Sequence, residues 1–202
     1  MRSFRCLAPL ALVLALPALA GDTYKIDPAH SEVGFKVRHI VSRTPGHFSR
    51  FEGTIQVDDK DPAKSSVEIT IQSASITTDN DSRDKHLRSA DFFDVEKFPT
   101  LTFRSVGVKD KGDGRLEVTG DFTLHGVTKR ITVPVTALGA TKDPWGNVRG
   151  GWEASFKVNR LDYGVSWNKT LESGTGMLGD EVEISLSFEG VKEAPKAVTA
   201  AK

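Results

Sequence analysis

Along most of this chain apolar and polar residues alternate one by one. Val33, Phe35 and Val37 oppose Glu32, Lys36 and Arg38. Phe51, Ile55 and Val57 alternate with Glu52, Thr54, Gln56 and Asp58, and Val67, Ile69 and Ile71 with Glu68, Thr70 and Gln72. Leu101 and Phe103 start the pattern again. It continues through Leu116, Val118, Phe122 and Leu124, then Ile131, Val133 and Val135, then Trp152, Ala154, Phe156 and Val158. Val182, Ile184, Leu186 and Phe188 close it. A period of two with one apolar side is the mark of a half-buried strand.

Turn chemistry separates these runs. Asp27 to Ser31, Lys111 to Gly114, His125-Gly126 and Asp143 to Asn147 read as turns, and Pro45-Gly46 as a loop. Pro134 falls on the outward side of its strand, which points to an edge or a bulge there. Asn159 to Gly179 is a long loop carrying Tyr163, Trp167 and Met177. About eight antiparallel strands result, each with an apolar face that must be covered by a second sheet or by closure on itself. Several strands are about ten residues long, and eight strands suffice for a barrel that holds one small ligand. The expected fold is all-β: an eight-stranded antiparallel lipocalin-like barrel.

One stretch departs from the pattern. Asp79 to Phe103 reads as a short helix between strands 3 and 4 that ends before Pro99. Asp79, Asp81 or Ser82 is placed to cap it, and Leu87, Ala90 and Phe93, or Phe92, share a face. A lone amphipathic segment against a sheet suits a plug or lid.

The chain starts with Arg2 and Arg5, an apolar run from Leu7 to Leu16, and Ala18-Leu19-Ala20, the pattern of a secretory signal peptide over residues 1–20. The folded domain is expected over 21–192, with a disordered tail over 193–202. The single cysteine, Cys6, lies in the signal, so the mature protein has neither disulfide nor thiol chemistry. Charge is balanced at 27 basic and 27 acidic residues, which argues against a nucleic-acid partner. The mature protein is expected in the periplasm, with no membrane span.

The residues also resemble a known family. Ile26-Asp27-Pro28-Ala29-His30-Ser31 is followed by Val33, Phe35, His39, Gly46, Phe48 and Phe51. Arg83 to Ser89 leads through Phe92-Phe93-Asp94 to Phe98-Pro99-Thr100 and Phe103. Gly120 to Gly126, Asn159 to Gly164 and Gly179 to Val182 complete the set. In order and spacing these are similar to the YceI-like family of bacterial secreted proteins, also called polyisoprenoid-binding proteins. The resemblance implies a lipocalin-type barrel whose long apolar cavity takes an isoprenoid or other amphiphilic lipid, without established catalysis.

The expected cavity wall is Phe35, Val37, Phe51, Ile55, Ile69, Ile71, Leu101, Phe103, Phe122, Leu124, Trp152 and Phe156. Any one of them could simply fill the core; as a set, with the resemblance, they point to a cavity. Phe92, Phe93, Tyr163 and Trp167 lie outside the strands and are assigned to the mouth. Arg83, His86, Arg88 and Arg160 could hold a head group there, because guanidinium and imidazole groups bind phosphate, carbonyl or quinone oxygens. Their ordinary alternative is solvation of Arg83 and Arg88, and hydrogen bonding of His86 or Arg160 to Asp84 or Asp162.

The five histidines are scattered without metal-ligand spacing, so no metal is expected. No nucleophile elbow or phosphate loop is present, and no catalytic residue is assigned. The leading expectation is a carrier for a quinone or polyprenyl lipid, with no other cofactor and with transient contact to inner-membrane proteins, as a monomer or homodimer. The alternatives are a small isomerase or hydrolase using His86 or His39 on an apolar substrate, and an interaction protein whose cavity is incidental.

Overall fold

The computed structural model describes residues 21–194; the signal-peptide expectation and most of the tail lie outside them. Eleven strands form one antiparallel sheet. They are β1 (Asp22–Ile26), β2 (Glu32–His39), β3 (Ser42–Phe48), β4 (Phe51–Val57), β5 (Ser66–Gln72), β6 (Ile76–Thr77), β7 (Thr100–Asp110), β8 (Arg115–Leu124), β9 (Val127–Lys142), β10 (Val148–Asn159) and β11 (Leu178–Lys192). The helix α1 (Asp81–Arg88) sits between β6 and β7.

Eight of these close into a barrel in the order β1-β4-β5-β7-β8-β9-β10-β11, with β11 returning to β1. The other three extend it. β1 and β2 are two halves of one bent strand, separated by a 3-10 turn at Pro28–His30. Both halves lie along the same edge of β11: Ile26 pairs with Gly190, and beyond the bend Glu32 pairs with Ser187. β3 and β4 are likewise halves of one strand, as are β5 and β6, whose bend is the 3-10 turn Ser73–Ser75. Counted through their bends, the strands number eight, as the alternation requires.

At one end, here called the base, β4 reaches β1 and the barrel is closed. At the other end, the mouth, the sheet splits. β6 pairs with β3 at Phe48 and Ile76 but not with β7, which leaves β5 above Gln72 and Thr100. The helix and the turns that follow it occupy this split. β9 and β10 also part above the pair Val135 and Ala154. Pro134 is the next residue of β9, so its missing N–H falls where β10 pairing has ended. The second split is filled from the loop after β10: Tyr163, 2% exposed, packs edge-on against Phe122, and its carbonyl lies 3.2 Å from His125 Nδ1.

Two sequence expectations need correction. Pro45-Gly46 is not a loop but the middle of β3, where Phe35 pairs with Gly46 and Lys36 with Pro45. The Phe35 ring lies across Gly46, and a Cβ there would fall 2.3 Å from its Cζ. That need for bare backbone put a turn-like residue inside a strand. The turn expected at Asp27–Ser31 is present as a single 3-10 turn capped by the Asp27 side chain. The main helix is capped by Asn80, whose Oδ1 accepts from the Arg83 N–H at 2.9 Å, and not by Asp79, Asp81 or Ser82. It stops at Arg88, well before Pro99. Leu87 and Phe93 pack on the core, while Ala90 is exposed.

Near the base the bent β1–β2 strand is fastened by charge. Arg149 Nη1 donates to Asp27 and to Glu189, and its Nε donates to Asp143 at 2.9 Å. Hydrogen bonds from His30 and Arg149 hold the Asp27 carboxyl below the usual range. Those from Asn147 and Arg149 hold Asp143 well below it against the opposing effect of burial. Both folded-state values are depressed, so their stabilisation is complete above the unfolded carboxyl value of about 4 and is lost as pH falls through the folded values. The melting temperature is expected to drop progressively below about pH 4, with a shallower slope in Arg149→Gln. A thermal melt series from pH 7 to pH 2 on both proteins checks this.

Candidate functional site

Inside the barrel lies a cavity of about 600 Å³. Pairing across β7, β8 and β9 shows how its wall is made. Phe103 faces Phe122, and Val118 faces Val133, all on the inner side. Gly120 follows in the same row, and the Phe103 ring rests over it, 2.4 Å from where a Cβ would stand. Of the twelve residues expected to form the wall, all except Phe51 line this space. Phe51 is buried instead, with its ring centroid 6.1 Å from that of Phe188.

The ordinary reading of these residues was core filling, and burial separates the two. Ile55, Ile69, Ile71, Leu101, Phe122 and Leu124 are buried. Phe35, Val37, Phe103, Trp152 and Phe156 point inward yet remain only half-buried. An inward aromatic that keeps exposed surface faces an unfilled space. Val182, Ile184 and Leu186 of β11 do the same and were not assigned to the site. Their signal was the same alternation that marked β2.

At the mouth the assigned residues divide. Arg83, His86, Phe92, Phe93, Trp167 and Arg160 line the opening; Tyr163 and Arg88 do not. Tyr163 belongs to the wall between β9 and β10. Arg88 donates from Nε to the Ala74 carbonyl at 2.8 Å and from Nη2 to the Ile76 carbonyl at 2.7 Å. Arg83 donates from Nε to Thr78 Oγ1 at 2.7 Å and from Nη2 to the Thr78 carbonyl at 2.8 Å. Neither arginine is simply a solvated charge. Together they satisfy backbone carbonyls along the β6 edge that β7 does not reach.

Asp84 completes this fastening. It is 4% exposed and accepts from the Thr78 N–H, the Thr78 hydroxyl and the Thr77 hydroxyl. Burial pushes its carboxyl up, but the hydrogen bonds from Thr78 and Thr77 outweigh that and hold it below the usual range.

Arg160, 5% exposed, ties down the long loop. It donates to the carbonyls of Gly179 (2.9 Å), Val165 (2.6 Å) and Trp167 (2.9 Å) and to Asp180 Oδ1 (3.2 Å). Its carboxylate partner is Asp180, not Asp162. Burial lowers its pKa against the opposing pull of Asp180. His86 bonds Asp91 Oδ2 at 2.8 Å rather than Asp84. Its ring stands edge-on to Phe92 and Trp167, each with centroids 5.0 Å away. His39, Thr44, Leu87, Val165 and Met177 also reach the opening, and none had been assigned to it.

The histidines are not all isolated. Asp27, His30 and Glu189 bring potential ligand atoms within 4.8 Å of one another. The Arg149 guanidinium bonds both carboxylates of this group, which makes it an ion-pair network held by a fixed cation.

Residues 24–190 match the YceI-like domain. The chain belongs to the YceI-like family. This YceI-like chain is 41% identical over 179 residues to Protein YceI of Escherichia coli, covering 87% of this chain and 90% of that protein. It is 40% identical over 196 residues to a UPF0312 protein of Pseudomonas aeruginosa, covering 94% and 98%. Among solved structures, the Campylobacter jejuni YCEI protein has a TM-score of 0.68 at 28% identity, covering 83% of this chain and 96% of that one. A polyisoprenoid binding domain from Saccharophagus degradans shares the fold, with a TM-score of 0.63 at 14% identity and coverage of 84% and 98%.

The YceI-like mouth thus depends on one buried carboxylate. Asp84→Ala leaves the Thr78 N–H and two hydroxyls without their acceptor, and is expected to cost about 2–4 kcal/mol. Urea unfolding measures that loss. Hydrogen exchange should show it concentrated at residues 74–98, with the β7–β10 amides unchanged at low denaturant.

Proposed function

We propose that this protein binds one isoprenoid-type amphiphile, a quinone or a polyprenyl lipid, in the barrel and carries it through the periplasm unchanged. The observation that carries the reading is the row of inward, half-buried apolar side chains around an open space of about 600 Å³. A site of this size is within the usual range for small-ligand cavities. Such a wall offers no directional chemistry. It offers a dry surface, and each methylene moved from water onto it contributes about 0.8 kcal/mol. About ten methylenes then suffice for roughly micromolar binding before ordering costs are subtracted. The fold shared with a domain described as polyisoprenoid binding supports the same ligand class.

Polar side chains at the mouth come from α1 and from the β2–β3 hairpin. His39, Thr44, Arg83 and His86 reach the opening. Two of the three Arg83 guanidinium nitrogens are committed to Thr78, which leaves the third for a head-group oxygen. The lipid enters tail first in this reading, with its oxygen-bearing head at the α1 side. The reading as a small enzyme would rest on His86 as acid or base.

Native mass spectrometry of the protein purified from its own periplasm tests the proposal, followed by solvent extraction of anything released. A stoichiometric isoprenoid or fatty-chain adduct is expected. A clean apo mass that persists after incubation with quinones and polyprenyl lipids overturns the carrier reading. Phe35→Asp and Phe103→Asp each place a carboxylate on the cavity wall, where an unpaired charge is costly to bury. Each variant, once shown to fold by circular dichroism, is expected to retain at least about tenfold less lipid, the equivalent of about 1.4 kcal/mol. Conversion of the lipid that stops in His86→Ala would instead favour the enzyme.

A further inference from the structure

The turn between β2 and β3 breaks a local rule. It has two residues, Ile40 and Val41, between the paired ends His39 and Ser42. Two-residue hairpin turns favour glycine or asparagine, because their first central residue takes a positive φ. Here that residue is Ile40, with φ of 53°. The other described non-glycine residues with positive φ are aspartates and a histidine; Ile40 alone is β-branched. A β-branched side chain in this region is a strained outlier.

The side chains so presented are not used inside the protein. Val41 is 96% exposed and Ile40 41%. The tip is nevertheless held firmly. The Ile40 N–H donates to the Met177 carbonyl at 2.8 Å, and Arg38 Nη1 donates to the Ile40 carbonyl at 3.1 Å. Arg38 Nη2 reaches the Gly176 carbonyl at 3.1 Å, which ties the turn to the long loop. The residues flanking the tip, His39 and Thr44, and its partner Met177 all line the cavity opening. A rigid apolar point therefore stands at the rim through which a ligand would pass.

The hairpin from Val33 to Phe48 carries Lys36, Arg38 and Arg43 and no carboxylate. Arg38 and Arg43 flank the tip, Arg43 sharing its charge with Glu183. An anionic lipid surface attracts a hairpin of that charge. Long arginine side chains beside an apolar tip also suit the headgroup layer, where their stems lie along apolar surface and their charges stay in water.

We propose that Ile40 and Val41 form a membrane-docking point that seats the cavity mouth on an anionic lipid bilayer. The proposal rests on the lipid-carrier reading for its purpose, but its test is separate. The point dips into the acyl boundary, and the mouth faces the surface from which lipid is taken or to which it is returned.

Flotation of the protein with vesicles of phosphatidylethanolamine and phosphatidylglycerol, at three to one, provides the test. The wild-type chain is expected to float with the vesicles. Ile40→Gly/Val41→Ser should reduce the floated fraction at least about tenfold, while its melting temperature holds or rises because the left-handed strain is removed. Val41→Ser alone, which leaves the turn backbone untouched, should reduce flotation in the same direction. Trp145→Ala, at an 81% exposed residue on the base-end hairpin, should leave it unchanged. A wild-type protein that does not float, or flotation lost in Trp145→Ala and kept in both tip variants, overturns the proposal. Loading with a fluorescent polyprenyl phosphate separates the two readings. Loading without flotation refutes the docking point and leaves the carrier standing. Tip-dependent flotation without loading does the reverse.

Discussion

The shared edge of β11 governs this structure. A strand offers one row of hydrogen-bonding groups on each side, and here one row serves β1 at the base and β2 toward the mouth. The bend between them lets β1 turn inward and pair with β4, while β2 leans away to pair with β3. The barrel is therefore closed below and split above. The split strands carbonyls at Ala74, Ile76 and Thr78, and an unpaired buried carbonyl is costly. Arg88 and Arg83 answer those carbonyls from α1 in place of a neighbouring strand. The helix is thus required by the topology, and the opening beside it is the cavity mouth.

This explains which parts of the sequence were legible. The wall was, because each inward position repeats every second residue and no distant partner is needed to see it. β3 was not, since Ser42 to Phe48 contains a proline and a glycine, and the glycine is kept small by the ring of Phe35, its partner across the hairpin. In sequence, Arg160 and Arg88 are head-group candidates because charge near a predicted opening suggests a ligand. Their partners are carbonyls up to 19 residues away, which no local pattern reveals. Phe51 alternates like its neighbours but sits where β4 turns from the mouth to the base, so its ring meets Phe188 rather than the cavity.

The polar residues of the site are therefore chiefly builders of the mouth. Asp84, Arg83 and Arg88 hold the helix to β6, and Arg160 holds the loop to β11. What remains for a ligand is a short polar rim above a long apolar wall. A site of that kind discriminates by tail shape and length more than by head group, because a hydrogen bond at an open rim competes with water.

The cavity itself limits how such a barrel can exist without ligand. A dry void costs about 24 cal/mol per Å³, so a sealed apolar space of the volume found here would cost about 14 kcal/mol, as much as the whole stability of a typical domain. The split mouth avoids that cost by admitting water. Water against this wall finds few hydrogen-bond partners, and an apolar chain that displaces it loses little and gains contact along Phe35, Phe103, Trp152 and Phe156. The feature that makes the fold tolerable when empty, an opening beside a helix in place of a strand, is the feature that lets a lipid in.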